Sequence, residues 1–197
     1  MSSSTNPTRV IMKRLLSLIF AALTLVAVSQ AQEWASNIQQ FIAVDASLVV
    51  IENVTVIDGT GAGAVAGQTV VIRDGVIESV GMGMVPDGAH VIDGSGKTLI
   101  PGMVGLHNHT FYTTSQRTVQ LDYSAPRLYL ASGVTTIRTT GSYAPYSELS
   151  LKQSVNDRQS LGPRMLITGP YLVGAGGGGS DAVVATPEDA RRIVKYW

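Results

Sequence analysis

The chain has 197 residues, 45% hydrophobic and 14% charged, with 14 basic against 14 acidic side chains and no cysteine. That is apolar enough for a packed core and too weakly charged for a disordered chain, while the lack of cysteine excludes a disulfide framework and a lipidated cysteine anchor. Arg9, Lys13 and Arg14 precede every acid, so the remainder carries 11 bases against 14 acids and no basic stripe to neutralise phosphates, which sets nucleic acid aside as a partner.

Residues 1–31 read as a signal peptide: Lys13-Arg14, the apolar run Leu15 to Val28, then Ser29-Gln30-Ala31 with small residues where a signal peptidase cuts. The run is shorter than the roughly 18 to 20 residues a spanning helix wants. The expectation is therefore an exported protein, periplasmic or extracellular, with no stable membrane anchor after cleavage behind Ala31. Residues 32–47 form a linker with a short helix over Ser36 to Phe41. Residues 48–97 read as a small, sandwich-like β domain. It opens with the β-branched run Leu48 to Ile57, taken as one strand or two with a kink, and continues with Thr69 to Arg73 and Val76 to Gly81. The latter two flank Asp74-Gly75, a turn whose positive φ values suit the twist of paired strands. Val91-Ile92-Asp93 closes the domain, and His90 reads as an exposed turn residue after Pro86-Asp87-Gly88.

From residue 98 strands and helices alternate. Thr98 to Leu106 reads as a strand, Pro126 to Ala131 as a helix capped by Ser124 and stopped at Gly133, and Val134 to Arg138 as a strand. Glu148 to Ser160 reads as a helix stopped by Gly162-Pro163, and Met165 to Thr168 as a strand. This alternation predicts an α/β fold with a parallel sheet over residues 98–197. Thr186-Pro187-Glu188-Asp189 starts a further helix with apolar Ala190, Ile193, Val194 and Trp197, and no stop signal follows. Three strands with apolar helix faces leave large surfaces uncovered, so a longer natural protein is expected.

Chemistry concentrates at Leu106-His107-Asn108-His109-Thr110. Side chains two apart on a strand share a face, which lets both imidazoles reach one cation, and neutral imidazoles suit Zn2+ or a similar metal. The alternative is two polar residues at a strand end. Phe111, Tyr112 and Tyr123 are either pocket lining or packing, and Tyr112 and Arg138 are the candidate substrate contacts. Gly174 to Ser180 lacks the Gly-Lys-Ser/Thr of a phosphate loop and reads as a loop; Ser142 and Ser147 have no nearby base and read as loop and cap residues.

The apolar strand with Pro101-Gly102 leading into His107-x-His109 resembles the opening motif of the amidohydrolase superfamily. The likeness runs from Val44-Asp45-Ala46 through Ile57-Asp58-Gly59-Thr60-Gly61, Leu130-Ala131-Ser132-Gly133-Val134-Thr135-Thr136 and Gly162-Pro163-Arg164 to Thr186-Pro187-Glu188-Asp189-Ala190. It is strongest toward the imidazolonepropionase-like and prolidase-like branch. The resemblance implies that residues 98–197 are the first three βα units of an incomplete TIM-type (β/α)8 barrel, with His107 and His109 as metal ligands. It also implies one or two divalent ions, most simply Zn2+, and hydrolysis of a carbon-nitrogen bond in an amide, cyclic amide or dipeptide by metal-activated water. The family's bridging lysine, two further histidines and aspartate have no counterpart here, so no catalytic residue is assigned within this chain. The partner is thus a small-molecule or dipeptide substrate. Two departures stand out: Gly105 where many members carry Asp two residues before the first histidine, and Arg138-Thr139 where relatives often have Arg-Asp. The competing readings are a catalytically incomplete fragment or binding module on the same scaffold, and a structural β domain with an adventitious histidine pair.

Overall fold

Strand pairing stops over Ile100-Pro101-Gly102, between the last strand of one sheet and the histidine strand that begins the next. The structure is a computed structural model that describes residues 33–178, 180 and 182–197; the signal peptide read from the sequence lies outside the described residues. Residues Trp34–Trp197 form one compact unit.

The first sheet has five strands: β1 (Leu48–Val56), β2 (Val65–Arg73), β3 (Val76–Gly81), β4 (His90–Asp93) and β5 (Thr98–Leu99). β1 pairs antiparallel with β2 on one side and, on the other, parallel with β4 and then β5. The kink expected in the first run is present as register shifts on either side of Val54, beside Asn53 at φ 57. Asn tolerates this left-handed conformation because its short polar side chain can satisfy the backbone locally. Asp74 at φ 49 and Gly75 at φ 77 form the expected turn, with Arg73 opposite Val76. Val50, Val54, Val70 and Val71 are the buried residues of this sheet. Residues 48–97 contribute a single sheet among the described residues, so the sandwich-like arrangement expected from the strand count is not seen. His90 is not a turn residue: it is the exposed first residue of β4, opposite Val49.

The second sheet is parallel: β6 (Met103–Asn108), β9 (Val134–Thr139) and β10 (Arg164–Leu166), in that spatial order. Between β6 and β9 lie the hairpin strands β7 (Phe111–Thr113) and β8 (Thr118–Gln120), and a short helix α1 (Ser36–Gln39) precedes the first sheet. The expected single strand Thr98 to Leu106 is divided: Thr98 and Leu99 finish the first sheet, and Met103 starts the second. Pro101 has no N–H to give to a ladder, which ends pairing there.

Helix α2 (Ser124–Ala131) separates β6 from β9, and α3 (Pro145–Asn156) separates β9 from β10. Ser124 is helical rather than a cap: Tyr123 precedes the helix and makes no side-chain cap bond. Gly133, at φ 78, ends α2 as expected. α3 begins at Pro145, one turn before the expected Glu148, because the fixed φ of proline suits the first helical position. It also ends earlier, before Arg158 at φ 55. Ile137, Leu151 and Met165 form the core between α3 and the sheet, edged by Tyr129, Val134, Val155 and Ile167. Opposite that core, the face bearing Val104, Leu106 and Leu166 is exposed, Leu106 at 70%. Strands β11 (Val173–Gly174) and β12 (Val183–Val184) pair at the base of the glycine-rich loop. Helix α4 (Pro187–Tyr196) follows with a capping box: Asp189 N–H donates to Thr186 Oγ1 at 3.2 Å, and Thr186 N–H donates to Asp189 Oδ2 at 3.1 Å. No described helix is long and apolar enough to cross a membrane.

Candidate functional site

His107 owes its direction to a bulge. Gly105 stands beside Ile137 and Asn108 beside Thr139, with a register shift between them. The three-residue step on β6 therefore matches a two-residue step on β9, and Gly105 and Asn108 share the face of Ile137 and Thr139. His107 falls on the opposite face, together with Arg138. The rings of His107 and His109 are neighbours, centroids 5.2 Å apart and nearly perpendicular. His107 is exposed and His109 half-buried.

Gly105 lies against the side chain of Asn108. A Cβ on Gly105 would run into the Asn108 carboxamide. A side chain at 105 would require the Asn108 carboxamide, the far end of a flexible side chain, to swing aside.

Burial pushes the His109 imidazole below its ordinary value, the nearby His107 adds to that, and a backbone hydrogen bond at Gly141 opposes both. The neutral ring is the form that ligates metals. His109 Nδ1 is buried without a hydrogen-bond partner among the described residues. Two imidazoles side by side, one with an unpartnered nitrogen, fit a divalent transition metal as two of its ligands. No cluster of three His, Cys, Asp or Glu able to hold a metal occurs among the described residues.

The aromatic residues divide. Phe111 lies 4.6 Å from the His109 ring and 4.9 Å from Tyr143, and Tyr143 lies 5.0 Å from Tyr171, a continuous row leading away from the pair. Tyr112, the sequence candidate, is 63% exposed and, one residue on from Phe111 in β7, points the other way. Tyr123 stacks under the Arg127 guanidinium, 3.7 Å from its ring centre. Tyr143 also lines a cavity of about 790 Å3 with Ser142, Tyr146, Ser147, Arg192 and Trp197.

A buried polar cluster behind the pair escaped sequence reading. Thr110, Thr139, Ser142 and Glu148 are all buried, Thr110 and Glu148 at 0% exposure. Thr110 Oγ1 donates to Glu148 Oε1 at 2.9 Å and accepts from Gln120 Nε2 at 2.8 Å. Desolvation pushes the Glu148 carboxyl above its ordinary value, and the Asp122 charge adds to this; the Thr110, Ser142 and Thr139 hydroxyls pull it back. Of those three only Thr110 makes a well-formed hydrogen bond to it, and Oε2 has no partner among the described residues. Thr139 Oγ1 accepts from the Thr168 N–H at 2.9 Å. Ser147, expected as a cap, is inside α3 and donates to Asp122 Oδ2. Ser142 is a buried loop residue whose Oγ accepts from Ala144 N–H.

No family model matches the chain. The chain is similar to a protein assigned as a prolidase from Bifidobacterium longum, with 31% identity and a TM-score of 0.63, over 76% of this chain and 38% of that one. A Xaa-Pro dipeptidase shares the fold at 21% identity and a TM-score of 0.64, over 76% of this chain and 44% of that one. A dihydroorotase of Halalkalibacterium halodurans is 44% identical over 50 residues, which are 25% of this chain and 12% of the dihydroorotase. The chain therefore spans less than half the length of these relatives. Its structural neighbours are thus amidohydrolase and prolidase-like enzymes that share its α/β fold, and its sequence matches include dihydroorotases.

Proposed function

We propose that the chain supplies the first metal-ligand pair, His107 and His109, of a metal-dependent hydrolase that cleaves a carbon-nitrogen bond in an amide, cyclic amide or dipeptide. The observation that carries this reading is the pair itself: two adjacent imidazoles at the C-terminal end of a parallel strand, one with a buried Nδ1 that has no partner among the described residues. That end is where (β/α)8 enzymes keep their sites, and we take β6, β9 and β10, in sequence order with α2 and α3 between them, as the first three strands of such a barrel. The names of the prolidase, the Xaa-Pro dipeptidase and the dihydroorotase favour the same class.

A divalent ion, which we take as Zn2+, would activate water and polarise the scissile carbonyl. The chain's own residues bind and shape: His107 and His109 hold the ion, Phe111 and Tyr143 exclude water on one side, and Arg138 lies on the His107 face. Catalytic zinc is usually held by three protein ligands. Hydrolysis is accordingly proposed for the protein encoded by the whole reading frame, with the 197-residue chain alone as a partial site or binding scaffold. Export, proposed from the leader, places that activity outside the cytoplasm.

The product of the full reading frame should hydrolyse members of a panel of dipeptides and cyclic amides, lose activity to a chelator and regain it with Zn2+. Undiminished turnover after the metal has been stripped would overturn the proposal.

A further inference from the structure

We propose that Glu148 is a positioning residue for His109, acting through the Thr110 hydroxyl; this rests on the metal-hydrolase reading given above. Helix α3 presents Leu151 to the Ile137–Met165 core, and Glu148, three residues earlier, is a neighbour on the same helix face. An apolar side chain is the ordinary occupant there, since glutamate is almost never fully buried without a partner. This one is at 0% exposure, and its well-formed bond is the 2.9 Å contact from Thr110.

Thr110 directly follows His109, and the two residues are tied down from several elements. Tyr129 of α2 donates its hydroxyl to the His109 carbonyl at 2.7 Å. The Leu121 N–H donates to the Thr110 carbonyl at 2.7 Å, Gln120 of β8 donates to Thr110 Oγ1, and Glu148 of α3 accepts from it. Because β6 ends at Asn108, the strand ladder does not fix the backbone that carries His109. These bonds do so instead, and the one from Glu148 crosses 38 residues of chain to reach it. Groups that orient a ligand without touching the metal typically change metal affinity by about 10- to 100-fold when removed.

The test uses the full-length protein and the variants Glu148→Gln, Glu148→Ala, Thr110→Val and Thr110→Ser, with His107→Ala as control. Two quantities are measured: the imidazole 1H–15N correlations of His109 in metal-free protein, and the affinity for Zn2+ in competition with a chromophoric chelator. Glu148→Ala and Thr110→Val are expected to broaden or split the His109 ring signals and to weaken Zn2+ binding by about 10- to 100-fold. Glu148→Gln and Thr110→Ser, which keep a hydrogen-bonding group in place, should stay within about threefold of the parent in this range of effects. Unchanged ring signals in Glu148→Ala and Thr110→Val overturn the positioning role, as does a thermal midpoint that falls while the ring signals hold. Zn2+ binding that is indifferent to His107→Ala overturns the metal reading instead, and the metal-free ring signals then still decide the role of Glu148.

Discussion

The carboxamide of Asn108 rests against the backbone of Gly105 on the same strand, on the face turned away from His107. The bulge between the two residues brings them together and turns His107 to the opposite side. Gly105→Ala must displace the Asn108 carboxamide, the far end of a flexible side chain, and is expected to cost no more than about 1 kcal/mol, the low end of the range for forcing an extra group into a filled space. Asn108→Gly should recover much of that loss. Urea denaturation of both single variants and the pair checks it; additive losses would show that the two side chains do not meet.

Glu148 sets a pH dependence of known sign. Burial raises its pKa above the ordinary 4.5, so the folded chain keeps a proton that the unfolded chain releases. Its contribution to stability is greatest below that ordinary value and is lost as pH rises through the folded-state pKa. Glu148→Gln removes this loss, so its urea midpoint should gain on the parent as pH rises above 4.5. Parallel midpoint curves for the two proteins would contradict the shift.

The two faces of the parallel sheet should respond differently to truncation in the 197-residue chain. Met165→Ala empties a core position packed with Ile137 and Leu151 and is expected to cost about 2–5 kcal/mol. Leu106→Ala, on the exposed face, should change stability by no more than about 0.5 kcal/mol. Thermal or urea unfolding compares them, and equal losses would mean that Leu106 is covered in solution.

At α4 the Thr186 hydroxyl is the cap. Thr186→Ala should cost about 1 kcal/mol and Thr186→Ser much less, because serine keeps the acceptor for the Asp189 N–H. Equal losses for both substitutions would contradict a capping role.

What the sequence disclosed was local. Asp74-Gly75 announces its turn because only certain residues accept positive φ, Thr186-Pro187-x-Asp189 announces a helix start because its partners lie within one turn, and the His-x-His spacing places two rings on one side. The missed features depend on distant partners. Nothing near Thr98 says that Leu99 will pair with Val56 while Met103 pairs with Val134. Glu148 looks like a first-turn acid that favours a helix start, and its burial against Thr110 is visible only once α3 has packed on the sheet. Likewise, the alternation rule places Phe111 and Tyr112 on opposite sides but does not say which one meets His109.

Metal binding by the histidine pair is tested most directly by measuring Zn2+ content and affinity in the full-length protein beside its His107→Ala/His109→Ala variant, both confirmed as folded by circular dichroism. Stoichiometric Zn2+ in the parent and its loss in the variant is the expected result. Equal zinc content and affinity in the two proteins would contradict the assignment of these imidazoles as ligands.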